Sequence, residues 1–283
     1  MTRLPRPLHA AWRRLVPTIA ALAVFGAAPV SHAQFAAAIS PPRIELDAAP
    51  GATVRSVVEI TNTGGVASTF RIYTNDWSLT ADGKVNFSDE LLPGSCRPWV
   101  AIERRQITVQ GLSRLRYRIE VTPPADAAAV ECRFALMVES SEQGIDAGAL
   151  KVPMSGRIAV IVYARVGDVR ADLRVVRNTV AQSDGKTVPA LEVHNAGQAT
   201  GRFVGFVTAT QDNGSTVDLA PNSVPVLPGM TRIVELLPVP APDRPNDKPP
   251  ELRWPLRVRG QLETGVPNTA KTVLDAVFEP NRR

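Results

Sequence analysis

Short runs of apolar and β-branched residues recur along the chain, separated by turns that contain glycine or proline. Residues 54–62 (VRSVVEITN) and 115–121 (LRYRIEV) alternate between apolar and polar side chains, which is the period of a strand with one face against a core. Asp-Gly at 82–83 and 184–185 and Asn-Gly at 213–214 are typical of tight hairpins, because glycine adopts positive φ at little cost. No segment has the periodicity of a long amphipathic helix, so an all-β fold is predicted. Strands are predicted near residues 38–47, 54–62, 68–78, 84–88, 98–109, 113–122, 130–140, 149–164, 171–181, 187–195, 201–212, 215–219, 230–238, 254–263 and 270–279.

A short internal repeat indicates two copies of one domain. Residues 59–70 read EITNTGGVASTF and residues 192–203 read EVHNAGQATGRF, with glutamate, a branched residue, asparagine, glycine and phenylalanine at matching offsets. Together with the shared order of turns, this repeat predicts two tandem immunoglobulin-like β-sandwich domains. Their expected bounds are 34–166 for the N-terminal domain and 167–283 for the C-terminal domain.

The repeat also makes predictions about single residues. In each copy the Asn-x-Gly segment is expected to close one strand and turn into the next, with Gly64 and Gly197 in strained backbone conformations that glycine tolerates. Phe70 and Phe203 are expected to be core residues.

The N-terminus resembles an export signal. A basic segment that contains Arg13 and Arg14 precedes an apolar run at 15–28, and small residues at 31–33 predict cleavage before Gln34. The alternative is a membrane anchor, which the shortness of the run and its interruption by prolines disfavour. No later stretch is long and apolar enough to span a membrane.

Charge does not indicate a nucleic-acid partner. The whole chain has 32 basic and 27 acidic residues. Because residues 1–33 hold four of the basic residues and none of the acidic ones, the processed chain is expected to be close to neutral.

The processed chain has two cysteines and offers little for catalysis. In an oxidising compartment Cys96 and Cys132 are expected to form one disulfide that stiffens the first domain, the alternative being two unpaired thiols. His194 is the one remaining histidine, which excludes a multi-histidine metal site and weakens a Ser-His-Asp interpretation. We therefore expect no enzyme activity, no metal and no cofactor.

Residues 39–46 (ISPPRIEL) and 149–165 resemble the periplasmic fimbrial, or pilus-assembly, chaperone family. The resemblance implies two immunoglobulin-like domains joined at an angle and a location in the periplasm. It also implies that the last strand of the first domain is donated into the incomplete sandwich of a secreted pilin-like subunit. An outer-membrane usher would be a further partner.

The segment LKVPM is the predicted donor strand. Leu150, Val152 and Met154 alternate along it, so that they could enter the core of a partner while the backbone of an edge strand pairs with that partner. Pro153 suits an edge position, since a central strand would miss its N–H. The alternative is that the three side chains pack into their own domain.

The resemblance further implies that two cations grip the terminal carboxylate of the subunit. Arg43 matches the arginine of the first strand, but Ala159 stands where the family has a lysine. Arg157, two residues earlier and on the same face, could substitute for that lysine.

Three hypotheses for function follow. The first is a periplasmic chaperone that stabilises fimbrial subunits by donor-strand complementation. The second is a structural or scaffolding protein of the cell envelope with the same fold, which the missing lysine favours. The third is a carbohydrate-binding sandwich that uses Trp77 or Trp99, although both tryptophans are expected to fill the core. The proline-rich segment 238–250 is expected to project into solvent.

Overall fold

The computed structural model describes residues 36–80, 83–140, 143–147, 150–154, 156–240, 243–265 and 271–280, with the backbone alone at 143–147 and 150–154. The predicted signal peptide lies outside the described residues. The fold is all-β, as expected, and is built as two tandem β-sandwiches.

Two sheets form the first sandwich. Its elements are β1 (Ala37–Ser40), β2 (Arg43–Ala48), β3 (Val54–Asn62), β4 (Ser68–Leu79), β5 (Val85–Ser88), a 3-10 turn (Arg97–Trp99), β6 (Val100–Ile102), β7 (Gln106–Val109), β8 (Arg114–Val121), β9 (Val130–Ser140), β10 (Gln143–Ala147), β11 (Leu150–Met154) and β12 (Arg157–Val166). One sheet has the order β1-β3-β8-β6 and the other β2-β12-β9-β4-β5, while β7 also pairs with β4. Phe70, Tyr117 and Phe134 are buried in the core between them.

The second sandwich is a single continuous ladder folded around its own core. Its strands are β13 (Leu173–Ser183), β14 (Lys186–Asn195), β15 (Val207–Thr210), β16 (Thr216–Pro221), β17 (Thr231–Pro238), β18 (Leu256–Leu262) and β19 (Thr272–Phe278), in the order β13-β14-β17-β16-β15-β18-β19. Strand β17 joins the two layers, because residues 231–235 pair with β14 and residues 236–238 pair with β16. Phe203, Leu219 and Leu236 are buried inside.

Several predicted strands are divided or shortened. The predicted strand at 38–47 is β1 and β2, which lie in different sheets: β1 pairs with β3, and β2 pairs in parallel with β12. Pro41 and Pro42 separate them, and neither has a backbone N–H to donate to a ladder. The predicted strand at 201–212 is reduced to β15, preceded by Gly205 with φ of 105°.

The asparagine of the repeat closes the same turn in both sandwiches. Asn62 accepts a hydrogen bond from the Gly64 N–H at 2.9 Å and donates to the carbonyls of Val66 and Val109 at 2.7 and 3.0 Å. Asn195 accepts from the Gly197 N–H at 3.0 Å and donates to two carbonyls at 2.8 Å each. Two asparagines in equivalent turns support two copies of one topology.

The predicted backbone strain at the repeat glycines is wrong. Neither Gly64 nor Gly197 has positive φ. At Gly197 the constraint is space, because a Cβ there would lie 2.3 Å from the Arg170 carbonyl oxygen and 2.5 Å from the Asp172 nitrogen. Phe70 and Phe203 are buried, as predicted.

The predicted disulfide joins Cys96 and Cys132, with Cα atoms 5.8 Å apart. Cys96 directly precedes the 3-10 turn and Cys132 lies in β9, and both belong to the core of the first sandwich. The bond therefore ties a long connection to a central strand.

Candidate functional site

Residues 150–154 extend the longest hairpin of the first sandwich. Strands β9 and β12 pair along their whole lengths, and β10 and β11 continue the hairpin beyond them with Gln143 opposite Met154 and Ala147 opposite Leu150. Two hydrogen bonds close the junction: the Ser140 N–H donates to the Gly156 carbonyl at 3.0 Å, and the Gly156 N–H donates to the Ser140 hydroxyl at 3.1 Å. Strand β10 lies in a segment for which no strand was predicted.

One side of this hairpin has no partner strand among the described residues. Strand β12 pairs with β2 only from Ile161 to Val166, and the last contact is the hydrogen bond from the Ile161 N–H to the Pro42 carbonyl at 3.2 Å. Residues 157–160 pair with β9 alone, and β11 pairs with β10 alone. The described backbone therefore offers an open edge at residues 150–154 of β11 and 157–160 of β12.

The sheet that carries this edge also has a partly apolar outer face. Trp77, Ala135, Met137 and Tyr163 lie on it, opposite the sandwich core, and form a separate cluster with Leu227 of the second sandwich. The rings of Trp77 and Tyr163 meet edge-to-face with centroids 5.8 Å apart. Trp77 is therefore buried as expected, but between the two sandwiches and not inside one, whereas Trp99 packs against the first core.

Arg43 begins β2 beside the open edge. Its side chain is 46% exposed, and its Nε lies 3.1 Å from a carboxylate oxygen of Glu45. Its register partner on β12 is Ile161. Arg43 is thus accessible to solvent and already paired with an acidic side chain of its own strand.

Arg157 begins β12, opposite Glu139. A hydrogen bond to the Tyr73 hydroxyl raises the pKa of Arg157 further above its usual value. Arg157 is four residues from the register partner of Arg43, which is about 13 Å along a strand. The two arginines share a sheet face, where Arg43 is paired with Glu45 and Arg157 is hydrogen-bonded to Tyr73.

A charged cluster that the sequence did not indicate lies next to Arg43. Glu45 also faces the Arg165 guanidinium at 3.4 Å and the Arg202 guanidinium at 3.4 Å. Arg202 comes from the second sandwich, donates to the Tyr163 hydroxyl at 2.8 Å and stacks over its ring at 4.9 Å. The period-two spacing of residues 43, 45 and 47 could have predicted that Arg43 and Glu45 share one face of their strand. No local sequence pattern indicated Arg202.

A second contact between the sandwiches is a buried carboxyl group. Glu131 on β9 accepts hydrogen bonds from the Thr200 N–H at 2.8 Å and from its hydroxyl at 2.5 Å. Burial raises the pKa of Glu131, and the hydrogen bonds from Thr200 partly oppose that shift. The joint therefore depends on one carboxyl group with restricted access to water.

Within the described residues, no group of three or more His, Cys, Asp or Glu side chains is arranged to hold a metal ion. The same part of the chain contains no helix with the length and apolar character that crossing a bilayer requires.

Compared with solved structures, the chain is similar over most of its length to fimbrial chaperones. It covers 100% of the YadV chaperone with 84% of its own length, at 11% identity and a TM-score of 0.44. It covers 99% of the Class 5 fimbriae chaperone CfaA with 86% of its own length, at 11% identity and a TM-score of 0.45. It covers 99% of a chain in the CsuC–CsuE chaperone–tip adhesion subunit complex of Acinetobacter baumannii with 86% of its own length, at 13% identity and a TM-score of 0.43. No protein-family model and no curated protein sequence matches the chain.

Proposed function

We propose that this protein is a periplasmic chaperone that holds a secreted, pilin-like subunit by completing the subunit's sheet with residues 150–154. It is exported through the signal peptide at 1–33 and acts by binding, without catalysis or cofactor. The observation that carries this proposal is the open edge at residues 150–154 and 157–160, where a foreign strand can add to the ladder.

The physical basis is strand addition. Free backbone N–H and C=O groups supply affinity that is independent of sequence, and alternate side chains supply selectivity. Leu150, Val152 and Met154 are apolar and spaced by two. Burial of three such side chains contributes roughly 5–8 kcal/mol before the costs of association. Release needs no nucleotide, because folding of the subunit around a new strand can drive the exchange.

The proposal includes an anchor for the terminal carboxylate of the subunit. Arg43 remains the proposed anchor because it is exposed beside the open edge, although Glu45 competes for it. Arg157 remains a proposed contact farther along the strand. An outer-membrane usher is the proposed further partner of the complex. The alternative, a scaffolding protein of the envelope, is favoured by the wide spacing of the two arginines.

The test is co-expression with candidate secreted subunits, followed by affinity purification from the periplasm. We expect the wild-type protein to retain a subunit and the double variant Leu150→Asp/Val152→Asp to lose it, because two carboxylates cannot enter an apolar core.

Val273→Asp is the matched control, since Val273 also lies on a strand and is 69% exposed, but in the second sandwich. It should retain the subunit. Retention by the double variant would rule out the donor strand, and the scaffolding alternative would then stand.

A further inference from the structure

A pocket of about 380 Å³ lies where the two sandwiches meet, and its lining shares no residue with the open edge. Its apolar wall comes from both sandwiches: Trp77, Leu92 and Pro93 from the first, and Leu227, Pro228 and Met230 from the second. A volume of this size is at the small end of the range for sites that bind small molecules, about 300–1,000 Å³.

Two acidic groups line the pocket, and both are already engaged. Asp76 accepts hydrogen bonds from the Leu92 N–H at 2.9 Å and the Ser95 hydroxyl at 2.7 Å. Glu131 accepts both donors of Thr200. Asp76 also lies 3.6 Å from the Arg97 guanidinium, which balances its negative charge, and burial favours the neutral form of Glu131 by raising its pKa.

Arg133 is the basic residue in the lining of this pocket. Arg133 stacks over the Trp77 ring at 5.6 Å and forms no ion pair among the described residues, although its charge favours the ionised form of the neighbouring Glu131. Trp77 is 6% exposed, and its indole N–H is buried without an acceptor in the described part of the chain. Buried donors without partners are rare in native structures. Arg133 is therefore the lining residue whose charge could pair with an anionic ligand.

We propose that the pocket binds a small amphiphilic anion, with an apolar body against Trp77, Leu227 and Met230 and a carboxylate on Arg133. The apolar wall supplies affinity through burial, and the guanidinium supplies a charge-assisted hydrogen bond that selects the anionic head group. This site is independent of strand donation, because it lies on residues that the open edge does not include.

The test compares three ligands that share one apolar body: phenylbutanoate, phenylbutanol and phenylbutylamine. Isothermal titration calorimetry of the purified protein should give saturable binding of phenylbutanoate. The alcohol should bind at least about tenfold more weakly and the amine more weakly still, because one charge-assisted hydrogen bond is worth a factor of ten or more. Equal affinity for the acid and the alcohol would overturn the proposal.

Substitutions of lining residues test whether the ligand binds in this pocket. Arg133→Gln should reduce the affinity for phenylbutanoate to that for phenylbutanol, and Ser78→Trp should fill the pocket and abolish binding while Arg133 stays in place. Arg116→Gln, an exposed arginine on the other sheet, and Phe206→Ser, an exposed aromatic of the second sandwich, should bind as the wild type does.

Each outcome decides the proposal. Unchanged binding by Ser78→Trp, or loss of binding in Phe206→Ser, would show that the ligand occupies another surface and would overturn it. If Arg133→Gln does not fold, the decision rests on Ser78→Trp and on the preference for acid over alcohol.

Discussion

Asn195 holds together three segments of the second sandwich with a single side-chain amide. Its oxygen accepts from the N–H groups of Gly197 and Asp172, and its nitrogen donates to the carbonyls of Ala199 and Val226. The residue is fully buried, so water cannot replace these bonds when the amide is removed. One side chain thus satisfies backbone groups that no strand pairing reaches.

Asn195→Ala should therefore lower the free energy of unfolding by about 3 kcal/mol or more. Each buried backbone N–H or C=O group that loses its hydrogen-bond partner costs about 1–3 kcal/mol. Urea denaturation followed by circular dichroism measures the change. Asn213→Ala is the control, because Asn213 is exposed in a hairpin turn, and it should change stability by less than about 1 kcal/mol. Equal effects of the two substitutions would contradict the role assigned to Asn195.

The buried carboxyl group of Glu131 should make the stability of the fold depend on pH, with a definite sign. Because burial raises its pKa in the folded protein above the ordinary 4.5, the folded state holds this proton more tightly than the unfolded state. Its contribution to stability is therefore largest below pH 4.5 and decreases as the pH rises through the raised pKa.

Glu131→Gln keeps an oxygen acceptor for Thr200 and removes the titration. Other carboxyl groups titrate as well, so the relevant quantity is the difference between the melting temperatures of the variant and the wild type. We expect the variant to gain relative to the wild type as the pH rises from about 4 to 8. A difference that does not depend on pH would show that Glu131 is neutral or freely solvated.

At the scale of elements, glycines decide how closely two segments approach. A Cβ at Gly197 would meet backbone atoms of Arg170 and Asp172 at 2.3 and 2.5 Å. In the first sandwich the equivalent crowding falls on Gly111, where a Cβ would lie 2.3 Å from the Gly65 carbonyl oxygen. Both copies of the repeat therefore contain the asparagine turn. The closest backbone approach falls at Gly197 in the second sandwich and at Gly111 in the first.

Gly197→Ala should lower the free energy of unfolding by about 3 kcal/mol, because backbone atoms must move to admit the methyl group. Gly65→Ala is the matched control: a Cβ there has nothing within 4 Å, and its φ is not positive. Its effect should lie within about 0.5 kcal/mol. Thermal and urea unfolding of both variants would distinguish them, and a destabilised Gly65→Ala would point to a general loss of turn flexibility instead.

Alternation predicts strands well and their interruptions poorly. Strands β3 and β9 begin and end at the expected residues, because their periodicity is uninterrupted. The exchange of sheets between β1 and β2 depends on which neighbour each segment finds, and that information lies in β3 and β12, far along the chain. The hairpin of Asp184 and Gly185 was predictable because it needs only its own two residues, with φ of 48° and 76°.

The candidate site, too, could be predicted only in part from the sequence. The segment 150–154 could be found from its own alternation, and Arg43 from a short motif. Arg202 could not, because its contacts with Glu45 and Tyr163 join residues 157 and 39 positions apart. The arrangement of the two sandwiches, and not any local sequence pattern, creates both the charged cluster around Glu45 and the pocket.

At the scale of the whole molecule, the contacts between the sandwiches form a third apolar cluster. Leu227 is 6% exposed and packs with Trp77 and Tyr163, while it belongs to neither sandwich core. Shared burial of this kind couples the stability of one domain to that of the other. The two sandwiches should therefore unfold in one transition in the wild type.

Leu227→Asp tests that coupling, because it places a carboxylate among apolar side chains without entering either core. Differential scanning calorimetry should show one transition for the wild type and two for the variant, since each sandwich keeps its own core but loses its support from the other. Leu91→Asp, at a position that is 60% exposed, should retain the single transition. A single transition in Leu227→Asp, merely shifted to lower temperature, would mean that the polar contacts of Glu131 and Arg202 are sufficient to couple the sandwiches.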